Sequence, residues 1–453
     1  MASHQRQGVA RLRRLVQGLV LFAVATVAGP AWAGESMTVA GIPLDFILFA
    51  LVLLGVAVFH DHTLNVALVG VIVITAYKLA FTGFRFGDGL PGLVSHFAHE
   101  WVTLANLLCL LMGFALLARH FEKSHVPVIL PRFLPDDWKG GFLLLAMVWF
   151  ISSFLDNIAA AMIGGAMAHQ LFKAKVHVGY LAGIVAASNA GGAWSVVGDT
   201  TTTMMWIAGV SPLQVLAAFL PSLVALAIVG VVAAKQQHAY SPILKGAHAH
   251  TRVDWVRVGI VLMILVFAIL ANVVVNVRYS EAAAHFPFIG MAVWLAVFFS
   301  VPLRRPDWEL LPEAFKGAIF LLSLVTCASM MPVENLPSAS WQTAMGLGFV
   351  SAVFDNIPLT ALALKQGGYD WGFLAYAVGF GGSMIWFGSS AGVALSNLFP
   401  EAKSVASWLY HGWHVAVAYV AGFLVMVAAL GWHPEVPHGG QEPPPAAGTA
   451  GTR

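Results

Sequence analysis

Apolar runs of roughly membrane-spanning length recur along most of this 453-residue chain. A helix needs roughly 20 residues to cross the hydrocarbon core of a bilayer. Open sheet edges cannot face lipid, because their backbone groups would find no hydrogen-bond partners there. We therefore predict an all-α polytopic membrane protein with about 11 to 13 membrane segments. The best candidate runs are residues 43–59, 64–83, 101–118, 140–170, 211–234, 254–276, 287–303, 316–331, 343–364, 372–398 and 413–432.

The composition excludes several classes of protein. Charged residues make up only 10% of the chain, whereas a soluble domain carries about 25%. The 23 Lys and Arg residues are scattered and the net charge is +2, so no basic stripe could follow a phosphate backbone. No Walker A motif, dinucleotide fingerprint or HExxH motif is present. We therefore expect no enzyme, no catalytic residues, no cofactor and no nucleic-acid partner, but a lipid bilayer around the chain.

The two ends of the chain differ from its hydrophobic middle. Residues 1–33 combine a basic stretch, an apolar run and Ala31-Trp32-Ala33, which is typical of a signal peptide, with an uncleaved N-terminal anchor as the alternative. Residues 433–453 are rich in Pro and Gly and are predicted to be a disordered tail. We expect a multi-pass protein of the bacterial inner membrane. The parts between the ends are N-terminal membrane helices (34–139), a first transport repeat core (140–234), a cytoplasmic loop with scaffold helices (235–342), and a second transport repeat core with the last helix (343–432).

Two short motifs occur once in each half of the chain. The first is an Asp-Asn pair inside an apolar segment, at Asp156-Asn157 and again at Asp355-Asn356. The second is a glycine pair followed, at the same spacing in both halves, by a third glycine and small polar residues. We therefore predict two related repeats. The second motif comprises Gly191-Gly192 with Gly198-Asp199-Thr200, and Gly381-Gly382 with Gly388-Ser389-Ser390.

Glycine pairs and polar residues at membrane depth indicate discontinuous helices. Unwound backbone is tolerated there only where it lines a cavity or is buried in protein. Transporters built from repeats place their binding site at such breaks, near the bilayer midplane. An ionised Asp at a helix centre costs about 2.5–3.5 kcal/mol on insertion scales. A proton or a bound cation must therefore neutralise Asp156, Asp199 and Asp355.

We predict that Asp156 and Asp355 hold Na⁺ or a proton in competition, which would give exchange. Carboxylate, amide and hydroxyl oxygens are hard donors that suit Na⁺ better than a soft metal. For any single hydroxyl, a hydrogen bond to its own helix is the alternative, and Asp199 alternatively caps a helix or lines the rim. No histidine cluster completes a zinc ligand set, so we expect no transition metal. The further candidate cation and proton ligands are Asn157, Asn189, Asp199, Thr200, Asn356, Thr360, Ser383, Ser389 and Ser390, and the backbone hinges are Gly191, Gly192, Gly198, Gly381, Gly382 and Gly388.

These motifs resemble those of the NhaD-type sodium/proton antiporters of the ion-transporter superfamily. The resemblance covers about residues 140–430 and rests on 189–195 with Gly198-Asp199, on 355–358, and on 381–383 with 388–393. It implies efflux of Na⁺ or Li⁺ in exchange for protons, which would be the substrates. It also implies inverted repeats with re-entrant hairpins, and the wider superfamily suggests a homodimer.

The chain departs from the family pattern at two places. Residues 158–161 are Ile-Ala-Ala-Ala where family members usually carry threonines, and Val196 stands where a proline is expected. Lys365 follows Thr360 by about one helical turn and would supply a fixed positive charge near the site. These features favour an alternative function, an organic-anion transporter for di- or tricarboxylates. A membrane scaffold without transport activity is a third hypothesis, against which the buried carboxylates argue.

Overall fold

A computed structural model of the chain describes residues 38–39, 41–59, 62–129, 134–243, 252–279, 282 and 285–435. The predicted signal peptide or anchor, the histidine stretches at 60–61 and 248–250, and residues 436–453 of the predicted tail lie outside the described residues. Helix accounts for 76% of the structure. The prediction of an all-α fold is therefore confirmed.

The chain begins with a small antiparallel pair of strands and continues almost entirely as helices. Strand β1 (Thr38–Val39) pairs with β2 (Ile42–Pro43), and helix α2 continues as a π-helical segment, Lys78–Thr82. The helices are α1 (Leu44–Val58), α2 (Thr63–Tyr77), α3 (Gly89–Glu122), α4 (Val126–Ile129), α5 (Trp138–Ser152), α6 (Asn157–Leu171), α7 (Val178–Ala193), α8 (Thr200–Ile207), α9 (Pro212–Leu216), α10 (Phe219–Tyr240), α11 (Trp255–Arg278), α12 (Phe288–Ser300), α13 (Leu311–Ser329), α14 (Trp341–Ser351), α15 (Asn356–Gln366), α16 (Trp371–Gly381), α17 (Ser390–Leu398), α18 (Val405–His411) and α19 (Trp413–Leu430).

Several helices are long and apolar enough to cross a membrane. Within the described residues there are six: Thr63–Thr82, Gly89–Glu122, Pro212–Tyr240, Trp255–Val275, Trp308–Ser329 and Trp413–Leu430. Shorter apolar helices of 10 to 17 residues supplement them. The chain is a polytopic membrane protein on this evidence.

The two repeats contain the predicted discontinuous helices. The first repeat is built from α5–α6 and α7–α8, with breaks at 153–156 and 194–199. The second is built from α14–α15 and α16–α17, with breaks at 352–355 and 382–389. Each helix restarts at a side-chain cap, because a carboxylate or hydroxyl satisfies a backbone N–H that has no partner within the helix. The four caps are Asp156, Asp199, Asp355 and Ser389.

Helix α7 is absent from the candidate runs predicted from the sequence. Its apolar stretch is short, because Ser188 and Asn189 interrupt it, yet every residue from Gly179 to Ala193 is buried. A helix that is packed on all sides needs small residues for close contact with its neighbours, whereas a prediction from spanning length requires roughly 20 apolar residues. The most deeply buried helix of the first repeat was therefore missed.

Close helix contacts at equivalent glycines hold each repeat together. A methyl group added to Gly191 would overlap the carbonyl oxygen of Trp149 in α5. A methyl group added to Gly381 would likewise overlap the carbonyl oxygen of Gly348 in α14. Both glycines thus allow a backbone-to-backbone approach that no other residue permits.

The two repeats run in opposite directions relative to α13. Gln170, at the end of α6, and Glu313, at the beginning of α13, are both exposed and line the same cavity. Lys365, near the end of α15, instead binds the carbonyl oxygen of Ser329, at the other end of α13. Helix α13 has 19 residues and is therefore about 28 Å long, close to the roughly 30 Å of a hydrocarbon core. Helices α6 and α15 therefore leave the centre toward opposite faces of the membrane.

Candidate functional site

Each repeat brings a hydroxyl to the aspartate of its Asp-Asn pair. The Ser390 hydroxyl donates to Asp355 Oδ2 at 2.9 Å, and the Thr200 hydroxyl lies 3.5 Å from Asp156 Oδ1. Thr200 and Ser390 occupy equivalent positions, since each is the first residue of the helix after its glycine pair. The hydroxyl that residues 158–161 lack is therefore supplied by the neighbouring broken helix.

The second Asp-Asn pair contacts the other repeat directly, and the first is linked to it through Asn189. Asn356 donates through Nδ2 to Asp199 Oδ2 at 3.2 Å. Asn157 donates to Asn189 Oδ1 at 3.0 Å, and the Asn189 amide in turn donates to the Ser389 hydroxyl at 3.1 Å. It donates to the Ser383 hydroxyl as well, at 2.9 Å. The two half-sites therefore form one continuous polar centre between the repeats.

The two contacts between the repeats differ in charge. Asp199 in the first repeat corresponds to Ser389 in the second, and Asn189 corresponds to Gly379. A methyl group added to Gly379 would lie 3.5 Å from Asp199 Oδ2. One contact thus carries a carboxylate beside a glycine, and the other carries an amide beside a hydroxyl. Gly379 was not predicted, although its position two residues before the glycine pair matches that of Asn189.

None of the three central carboxylates has a basic partner among the described residues. The ion pairs of the described residues all lie elsewhere, at Asp45, Glu122, Asp137, Asp254 and Asp307. Asp199 is only 2% exposed. No group of three or more His, Cys, Asp or Glu side chains in the described part of the chain is arranged to hold one metal ion. No basic side chain of the described residues therefore balances the charge of these carboxylates.

Thr360 and Lys365, which their spacing places near the second half-site, make their hydrogen bonds elsewhere. The Thr360 hydroxyl donates to the carbonyl oxygen of Asn356 in its own helix at 3.0 Å, which is the alternative that the sequence left open. Lys365 lies ten residues along the helix from Asp355, about 15 Å away, and donates to the carbonyl oxygens of Ser329 and Met331. Its charge therefore binds the end of α13 and not the half-site.

A cavity of about 1380 Å³ leads from the first half-site to the surface. Its lining includes Asp156, Asp199 and Thr200 of the centre, and it also includes the exposed residues Gln170 and Glu313, which mark its outer part. Residues of α6 contribute to the lining, whereas no residue of α15 does. The first half-site is therefore open to one face, and Asp355 does not line this cavity.

Charged residues surround the outer end of the cavity. Lys123 donates to Asp307 Oδ1 at 2.7 Å, and Arg119 donates to Asp307 Oδ2 at 2.9 Å. Hydrogen bonds from Lys123 and Arg119 hold the pKa of the Asp307 carboxyl below its usual range. Glu309 and Glu313 line the same rim. These residues were not predicted, because a cavity wall formed by α3 and α13 depends on contacts distant in sequence.

The fold and site define a polytopic all-α membrane protein with two inverted half-sites of unpaired carboxylates, one of them open to a cavity. No family model matches the chain. The chain is similar to sodium/proton antiporter 1 of Arabidopsis thaliana, with 28% identity over 350 residues that cover 66% of this chain and 56% of that protein. It is similar to sodium/proton antiporter 2 of the same plant, with 25% identity over 379 residues, covering 72% of this chain and 83% of that protein.

Bacterial relatives match as well. The Na⁺/H⁺ antiporter NhaD of Vibrio parahaemolyticus is 27% identical over 310 residues, which cover 57% of this chain and 72% of the relative. The matched region thus spans a little more than half of the first plant relative and a larger share of the others. The resemblance to NhaD-type antiporters that the motifs indicated is confirmed by these similarities.

Proposed function

We propose that this protein is a Na⁺/H⁺ antiporter that exchanges cytoplasmic Na⁺, or Li⁺, for protons at Asp156 and Asp355. The observation that carries the proposal is the symmetric pairing of each aspartate with a hydroxyl from a broken helix, while no basic side chain in the described part of the chain balances the charge. The similarity to plant and bacterial proteins named as sodium/proton antiporters supports it. We further propose the bacterial inner membrane as its location, and a homodimer as its assembly.

Competition for one carboxylate accounts for exchange. A carboxylate, a hydroxyl and unwound backbone carbonyls offer the oxygen ligands that Na⁺ prefers, and a proton neutralises the same carboxylate in its place. An unloaded carboxylate in the membrane interior costs about 2.5–3.5 kcal/mol on insertion scales. The centre therefore changes its access readily only when it is loaded with Na⁺ or H⁺.

The remaining polar residues have supporting roles in this proposal. Thr200 and Ser390 supply hydroxyl ligands, Asn189 and Asn356 join the two repeats, and Asn157 orients Asn189. Asp199 adds negative charge next to the first half-site and caps α8. The cavity along α6 is the route by which Na⁺ reaches Asp156 from the side of residues 303–313, which are predicted to be cytoplasmic.

Proton movement in everted vesicles tests the proposal. After an interior-acid gradient is formed, addition of NaCl or LiCl should dissipate it, as followed with a pH-sensitive dye. Asp156→Asn or Asp355→Asn should abolish this response, because an amide cannot carry the exchanged charge. Asp370→Asn is the matched control, since Asp370 caps α16 away from the centre. A full response to Na⁺ in both site variants would remove these residues from the mechanism.

An organic-anion carrier is the second candidate. The N-termini of α6, α8, α15 and α17 meet at the centre, and helix N-termini favour negatively charged ligands. Lys365 gives no support to this function, because it binds the end of α13. Uptake of citrate without any effect of Na⁺ or Li⁺ on the proton gradient would favour this candidate over antiport.

A further inference from the structure

The faces of α6 and α15 that correspond through the repeat have opposite environments. Ile158, Ala159, Met162 and Ala166 of α6 line the cavity. Their counterparts in α15 are residues 357, 358, 361 and 365. The first three of these are buried, and residues 357 and 361 pack in one apolar cluster with the second half of α13. The same helix face is therefore accessible in the first repeat and covered in the second.

Lys365 sits where this covered face ends. Its ammonium donates to the carbonyl oxygens of Ser329, the last residue of α13, and of Met331, the latter at 2.8 Å. The last carbonyls of a helix have no partner within the helix and form its negative end, so a lysine there is stabilising. Glu100 of α3 and Glu334 attract the same ammonium electrostatically, while Lys78 and Arg85 repel it. The corresponding residue in the first repeat, Ala166, is exposed, and its methyl side chain cannot donate a hydrogen bond.

We propose that Lys365 is a latch that keeps the second half-site closed by fastening the end of α15 to the end of α13. The inference rests on the proposed transport function, because transport through two inverted half-sites requires that each becomes accessible in turn. Water can reach the α15 face only if α15 separates from α13. The two hydrogen bonds from Lys365 must then break.

Cysteine accessibility tests the latch directly. In a background where Cys109 and Cys327 are replaced by alanine, Ala361→Cys places a thiol on the covered face. It should react slowly with a membrane-impermeant thiol reagent, whereas Ala166→Cys should react fast. Adding Lys365→Ala should speed the reaction at position 361 at least about fivefold, since bonds from a charged donor are lost. Lys365→Arg, which keeps the charge and the donors, should leave the slow rate nearly unchanged.

Two controls separate latch opening from general loosening. Lys316→Ala removes an exposed lysine of α13 and should not alter labelling at position 361. Ala375→Cys, in the buried helix α16, should stay unreactive in the Lys365→Ala variant. An unchanged rate at position 361, or an equal increase at positions 361 and 375, would overturn the latch.

The labelling result does not depend on antiport. If Lys365→Ala opens position 361 while the wild-type protein shows no response to Na⁺ or Li⁺, the latch stands and the proposed antiport fails. If antiport is present and position 361 stays protected in the variant, antiport stands and the latch fails. The two proposals are thus tested separately.

Discussion

At the scale of single residues, the role of each hydroxyl at the centre depends on its hydrogen-bond partner. Ser390 bonds a carboxylate, whereas Thr360 bonds its own helix backbone. The sequence makes both Ser390 and Thr360 candidate ligands, because a hydroxyl near an aspartate at helical spacing can bond either the carboxylate or its own helix. The chemical identity of the residue does not settle the choice. Its position at the start or in the interior of a helix does.

We expect Ser390→Ala to raise the half-saturating Na⁺ concentration at least about tenfold. In our proposal the Ser390 hydroxyl is an oxygen ligand of the bound Na⁺, so the variant loses one contact with a charged group, worth about 1.5–3 kcal/mol. Na⁺-dependent dissipation of the proton gradient, measured over a range of Na⁺ concentrations, checks it. Ser396→Ala is the matched control in the same helix, since its hydroxyl donates to the Val393 carbonyl. An equal effect of both changes would show that Ser390 acts only through packing.

We expect Thr360→Val to change the same Na⁺ dependence by less than about threefold. Its hydroxyl donates to the Asn356 carbonyl and is therefore not a ligand of the cation. Removal of one such bond inside a helix lowers the stability of the protein by about 1 kcal/mol or less. The comparison with Ser390→Ala in one assay distinguishes ligand from structural hydroxyl. An increase in the half-saturating Na⁺ concentration as large as that caused by Ser390→Ala would show that Thr360 is a ligand of the cation.

At the scale of elements, the two glycines of each pair have different structural roles, which the sequence motif alone does not distinguish. Gly191 and Gly381 permit backbone contact with α5 and α14. Gly192 and Gly382 face the break instead, where added methyl groups would lie 2.6 Å from the Gly198 carbonyl oxygen and 2.7 Å from that of Gly388. The first glycine of each pair is therefore needed for helix packing, and the second for the course of the chain through the break.

Gly191→Ala should destabilise the protein by about 1–3 kcal/mol, because overpacking at a backbone contact forces the helices apart. Thermal unfolding in detergent should show a lower midpoint than for the wild type. Gly346→Ala serves as the control, since a methyl group there meets nothing within 4 Å, and alanine favours helix by about 1 kcal/mol over glycine. Equal midpoints for the two variants would contradict the close contact at Trp149.

At the scale of the whole molecule, the two repeats are inverted and differ in access. The cavity connects Asp156 to the face at which α13 begins, while α15 is covered up to Lys365 at the opposite face. The longer contact in the first half-site, 3.5 Å against 2.9 Å, accompanies this difference. One arrangement of the same two motifs thus gives an open and a closed half-site.

The inverted arrangement predicts labelling from opposite sides. Gln170→Cys, at the outer end of the cavity, should react with an impermeant thiol reagent in everted vesicles. Ser338→Cys, an exposed position beside the end of α15, should react in right-side-out vesicles. Both variants require the background without Cys109 and Cys327. Reaction of both thiols from the same side would contradict the inverted arrangement of α6 and α15.

The sequence by itself determined the class of fold, the positions of the helix breaks and the resemblance to NhaD-type antiporters. These follow from local properties: apolar length, capping residues, and glycine pairs repeated at one spacing. Helix α7 was not predicted, because Ser188 and Asn189 leave it no apolar run of membrane-spanning length.

Only the tertiary structure decided which residues meet at the centre. The contact of Asn356 with Asp199, the supply of the Thr200 hydroxyl to Asp156, the cavity between α6 and α13, and the binding of Lys365 to the end of α13 all join segments far apart in the chain. Spacing along one helix placed Lys365 near the site, but a helix rises about 1.5 Å per residue, so ten residues carry it to the opposite end. Which helix lies beside that end is a property of the packed bundle, which no local pattern encodes.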